Sequence, residues 1–126
     1  MKRFLLLVAA GLIFNSAQAQ DDEEMVVVLP DSAQKCVLPA SPDAIPENAT
    51  LDQLKASKAE IAGFQGKIME FRECLQAAEA DPDITEGNKA AIVQSFNYSV
   101  EMEERVAERF NEAVRDYKAR KAAAES

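Results

Sequence analysis

The chain contains no histidine. That absence removes an imidazole base, a Ser-His-Asp triad and any His metal ligand together. It also forbids the Glu-x-x-His motif that di-iron helical bundles require. Glycine is scarce, with four residues in 126, and no run of them forms a phosphate-binding loop. Serines are few and none lies in a nucleophile elbow. The cysteines number two, without C-x-x-C spacing. Positive charge is the minority, with 14 Lys and Arg against 22 Asp and Glu, for a net charge of −8. Acid in that excess counts against nucleic acid as a partner, because phosphate binding needs a basic surface. It counts equally against anionic lipid surfaces, and favours solubility or a basic partner. No uninterrupted apolar run is long enough to span a bilayer.

The length allows one domain. Its first 19 residues read as a signal peptide and stand outside that domain. Lys2-Arg3 is a basic start, Phe4 to Phe14 a short apolar core, and Ala17-Gln18-Ala19 a small-x-small cleavage site. Cleavage is expected after Ala19, which leaves no membrane anchor, and no cysteine follows to accept a lipid. Loss of Lys2 and Arg3 takes the net charge from −8 to about −10. The expected destination of an exported chain is an oxidising compartment. An even cysteine count in an oxidising compartment reads as one disulfide, Cys36 to Cys74. The alternatives are two reactive thiols or a metal pair.

Thr50 to Ala80 organises the rest. Leu54, Ile61, Ile68 and Leu75 recur every seven residues, and Phe64, Phe71 and Ala78 form a second row offset by three. This is the a/d pattern of a coiled coil, and it predicts a first long helix over about 51–80. Thr50 with Gln53 matches a capping box, and Asp52 puts negative charge in the first turn. Pro82 disfavours helical geometry at Asp81 and ends the helix. A second helix is expected over about 84–123. Its start is marked by Asp83 with Glu86, or by Thr85, and its apolar seam is read as Val93, Phe96, Val100, Ala107, Phe110, Val114 and Tyr117. The short link makes the two helices antiparallel neighbours. Folding about Pro82 places Phe71 near Val93, Ile68 near Phe96 and Phe64 near Val100. Ile92, Met102 and Val106 fall off that seam, free to cover the arm or form a dimer interface.

Pro39, Pro42 and Pro46 make residues 37–49 extended. A helix from Thr50 to Cys74 covers roughly 36 Å at ~1.5 Å per residue. A polyproline arm from Cys36 to Thr50 covers roughly 43 Å at ~3.1 Å per residue. The near match lets the arm run antiparallel along the first helix with the disulfide fixing its far end. Ala56, Ala59, Gly63 and Gly66 lie beside the row holding Cys74. Two glycines inside a helix cost about 1 kcal/mol each, which a close-lying arm would explain. Residues 20–35 read as an acidic then apolar N-terminal tail. Within it, Met25 to Leu29 is a short strand, an apolar strap, or a segment that orders on a partner. The expected fold is thus all-α: an antiparallel, coiled-coil-like helical hairpin over 36–124 with a Pro-rich arm stapled by one disulfide.

This layout resembles small exported proteobacterial proteins of uncharacterised function. The likeness rests on a Cys followed by a Pro-rich arm, a helix start like Asn48-Ala49-Thr50, a second Cys well into that helix, and a closing helix like Phe110-Asn111-Glu112-Ala113-Val114-Arg115-Asp116-Tyr117-Lys118. It spans about residues 36–118. The resemblance implies a periplasmic setting and the disulfide; it supplies no activity and no site.

Carboxylates are the remaining candidates for chemistry. Glu101, Glu103, Glu104 and Glu108 cluster on the second helix, and Glu103 alone takes an inward position, facing Ile61 with Lys58 one turn away in the expected register. A buried carboxylate there needs a cation; otherwise Glu103 is an edge residue. The acid runs Asp21–Glu24 and Asp81-Pro82-Asp83 lack the ligand order of a calcium loop. Asn48-Ala49-Thr50 and Asn97-Tyr98-Ser99 match the glycosylation pattern, but in a bacterial chain they read as a cap region and a helix surface. No cofactor, metal or catalytic residue is expected. The expected role is non-catalytic: binding another protein, self-association, or structure in the envelope. A small helical periplasmic chaperone is the alternative, and an enzyme the least favoured reading.

Overall fold

The computed structural model describes residues 27–126. The expected signal peptide and cleavage after Ala19, the acidic run 21–24, and Met25 and Val26 lie outside that range. Three helices follow in order: α1, Asp31–Gln34; α2, Leu51–Glu79; and α3, Glu86–Ala124. The long pair packs as an antiparallel hairpin, α1 sits on α2, and no strand occurs among the described residues. Nor is any described helix long and apolar enough to cross a membrane.

Both long helices start on reciprocal caps. Thr50 Oγ1 accepts from the Gln53 amide at 3.2 Å, while the Gln53 side chain accepts from the Thr50 amide at 2.9 Å. Thr85 and Asn88 repeat the arrangement at 3.0 and 3.2 Å. The second box moves the start of α3 two residues past the expected 84. Of the two expected caps it is Thr85, not Asp83, that serves, and Asp83 lies in a turn where its amide donates to the Asp81 carboxylate at 3.0 Å and the Ile84 amide to Asp81 O at 3.2 Å. Asn48 takes a left-handed φ of 56° in the turn before α2, a conformation asparagine tolerates better than most residues.

The core falls into two clusters. Phe71, Leu75, Ala78 and Ile92 surround Ala33 of α1, with Leu29, Cys36, Ile84 and Phe96 packed against them. Further along, Phe64 and Ile68 meet Met102 and Val106, with Ile61 beside them. The inward residues of α2 are those the heptads indicated. Those of α3 are not. Ile92, Ser99, Met102 and Val106 are buried, whereas Val93 is 50% exposed. The α3 seam is therefore rotated by about one residue from the expected row, and Ile68 and Phe64 pack with Met102 and Val106 rather than with Phe96 and Val100. The reason lies in Ser99, which interrupts the true row with a hydroxyl and makes the adjacent row look more apolar. Of the expected seam, Phe110 and Tyr117 are half-buried.

Of the apolar run Met25 to Leu29, Leu29 packs on the core beside Ala33 and Cys36, while Val27 and Val28 stay exposed, so residues 29–36 form a strap over α2 through those three side chains. Ala33 is 1% exposed, and the Asn88 side-chain amide donates to Val28 O at 2.6 Å. The Cys36–Cys74 disulfide is present, with a Cα–Cα distance of 5.6 Å, and links the strap to the last two turns of α2, near the turn of the hairpin. From there the arm runs back along α2. The Asp43 amide donates to Glu60 Oε1 at 2.8 Å, and Arg120 Nη2 of α3 donates to Ala49 O at 2.8 Å. The explanation offered for the glycines does not hold. A Cβ built on Gly63 or Gly66 would meet nothing within 4 Å. The arm meets α2 at the disulfide and at Glu60, with Pro39 buried between them, and leaves open space over Gly63.

Candidate binding groove

That space opens a concave feature on the surface. A groove of about 880 Å³ lies between the arm, Lys35 to Asp43, and the α2 face from Glu60 to Cys74. The disulfide closes one end and the Asp43–Glu60 bond crosses the other. Gly63 opens onto it without a side chain, and the edges of Phe64 and Phe71 form its floor. On the arm side Val37 is 78% exposed and Leu38 is 36% exposed. From Val37 to Ile45 the arm makes no main-chain to main-chain hydrogen bond. Its carbonyls and, apart from the Asp43 amide held by Glu60, the amides of its non-proline residues are thus open to water or to a partner. Pro39 and Pro42 hold the extended shape without demanding a partner for an amide they lack.

The ionisable groups around the groove are of both signs: Lys35 and Lys67 against Asp43, Glu60 and Glu70. Glu60 is already engaged by the Asp43 amide. Such an arrangement can hold a polypeptide by main-chain pairing to the arm and apolar contact with Val37, Leu38 and the aromatic floor. Among the described residues no group of three or more Cys, Asp or Glu is placed to hold a metal ion.

The carboxylates singled out in the sequence are not gathered into one site. Glu101, Glu104 and Glu108 are exposed along α3. Glu103 does turn to the interface, and its cation is Arg72, at 2.7 Å from Nη2 to Oε2, not Lys58. The approach is close but off the hydrogen-bond line, so it is an ion pair by distance. Arg72 Nε donates to Ser99 Oγ at 2.9 Å, Ser99 donates onward to Phe96 O at 2.6 Å, and the guanidinium lies 5.6 Å from the Phe96 ring centroid. Sequence reasoning missed Arg72 and Ser99. A signal existed, because an inward glutamate needs a cation and Arg72 is the one arginine of α2. Arginine also suits a partly buried site better than lysine, being less strongly hydrated and able to serve several acceptors. This cluster ties α2 to α3, and none of its residues lines the groove. Comparison of the chain with protein-family models, curated proteins and solved structures finds no match.

Proposed function

We propose that the chain is an exported, non-catalytic protein of the periplasm that acts by binding another protein through the arm face of its hairpin. It would belong with the small exported proteobacterial proteins it resembles. The observation that carries this reading is the stapled arm. An extended segment with free main-chain groups and exposed Val37 and Leu38 lies over a helix that has glycine where the groove opens. Two further features support it. A disulfide fits an exported chain, and the sequence has no histidine to serve as an imidazole base or metal ligand.

The test is affinity capture from a periplasmic extract with the oxidised protein, run beside Val37→Glu and Gly63→Leu variants. The expected result is one stoichiometric partner retained by the natural chain and lost from both variants, with circular dichroism unchanged. Capture indifferent to both substitutions would remove the groove from the function. Suppression of aggregation of unrelated unfolded proteins, with no stoichiometric partner, would replace the reading with a chaperone.

A further inference from the structure

The flank of α3 turned away from the arm carries a second pattern that the hairpin does not use. The arm side is fixed by the hollow in which Pro42 to Ile45 lie beside Ile61, Val106 and Arg109. On the opposite side Val93, Phe96 and Asn97 meet Leu75, Gln76 and Glu79 around a shallow hollow of about 240 Å³. Helical spacing continues that flank as Val100, Ala107 and Val114, all half-buried, with Asn97, Glu104, Asn111 and Lys118 exposed beside them. One row is apolar and the other polar, both with a period of seven.

We propose that this flank is the contact surface for a second copy of the chain, with the two α3 helices antiparallel about a two-fold axis at Asn111. The inference builds on the reading of the chain as an interaction protein. The polar row selects the geometry. Antiparallel pairing centred on Asn111 sets Glu104 of each copy against Lys118 of the other, giving two equivalent ion pairs, and Asn111 against Asn111. Parallel pairing would stack Glu104 on Glu104 and Lys118 on Lys118, which is repulsive at both levels. In the same register the Ala107 layer meets the Val114 layer, small against large.

The area sets the strength. The overlap from Asn97 to Glu125 is about 42 Å of helix at ~1.5 Å per residue. At a helix width of ~10–12 Å it covers roughly 500 Å² per chain, or about 1,000 Å² in total, the threshold for a specific interface. The dimer is therefore weak and concentration-dependent, with Kd of about micromolar or above.

Charge reversal tests it on exposed residues that leave the fold intact. The oxidised exported chain is followed by sedimentation equilibrium over a wide concentration range, beside Glu104→Lys, Lys118→Glu and the double variant. The expected result is a monomer–dimer equilibrium weakened about tenfold by either single reversal, which creates like charges at two symmetric sites, and restored by the double reversal. A natural chain that stays monomeric at every concentration overturns the proposal, and so does a dimer indifferent to the reversals or one the double variant fails to restore. A monomeric result leaves capture of a partner at the arm groove as a separate outcome, so failure here and failure of the groove reading are distinguishable.

Discussion

Replacing Arg72 with alanine tests how the two long helices are held in register. The side chain is 20% exposed and reaches Glu103, which is 30% exposed, at 2.7 Å. It also donates to Ser99, which is 0% exposed, and sits over Phe96. Breaking a fully buried ion pair costs about 3–5 kcal/mol, and an exposed pair contributes about 0–1 kcal/mol. Exposure of both partners places this one between, because Glu103 can rehydrate when its cation is lost. The charged hydrogen bond to Ser99 adds about 1.5–3 kcal/mol in a favourable setting, and the contact with Phe96 about 0.5–1 kcal/mol. Ser99 keeps its donor bond to Phe96 O in the variant, so it is not stranded. These contributions share the same atoms and do not add in full. The expected destabilisation for Arg72→Ala is about 2–3 kcal/mol in urea unfolding followed by far-ultraviolet circular dichroism. Glu103→Gln alone should cost about 1 kcal/mol or less. In a double-mutant cycle the pair should show coupling of about 1 kcal/mol. A cost for Arg72→Ala below about 1 kcal/mol, or strictly additive single variants, would refute the view that this cluster fixes the α2–α3 register.

Three further outcomes follow from the packing. The disulfide joins residues 38 apart, so reduction should remove about 4 kcal/mol in the chain-entropy model. For a domain this size the melting temperature should fall by roughly 15–30 °C, and an unchanged melting curve under reductant would contradict the staple. Ile92→Ala should cost about 2–5 kcal/mol, whereas the neighbouring Val93→Ala should stay near 0.5 kcal/mol; equal losses in chemical denaturation would put the rotated seam in error. Gly66→Ala should stabilise the protein by about 1 kcal/mol, since the added methyl meets no neighbour; a lower melting temperature would mean that the arm does press on α2.

Much of this molecule follows from local rules. The start of α2 was legible because a capping box depends on residues three apart, Thr50 and Gln53. Its inward face was legible because an apolar row over four heptads, from Leu54 to Ala78, can only point one way. The course of the arm followed from two lengths and a shared disulfide, both properties of chain geometry rather than of packing. The same local rules failed where two answers were nearly equal in energy. On α3 the rows beginning at Ile92 and Val93 are both apolar, and the choice between them depends on whether Ser99 can be buried. That in turn depends on Arg72 reaching across from the other helix, a contact between residues 27 apart. The start of α3 likewise lay between two expected caps, of which Thr85 serves while Asp83 lies in a turn.

The sequence by itself determined the absence of histidine, the acidic balance, the hairpin and the staple, because each depends on composition, periodicity or spacing within one segment. Only the tertiary structure decided which face of α3 turns inward, which cation answers Glu103, and that the arm stands clear of Gly63 to leave a groove. Those outcomes are set by side chains that meet across segments, where the energy of one position depends on what the fold has already placed opposite it.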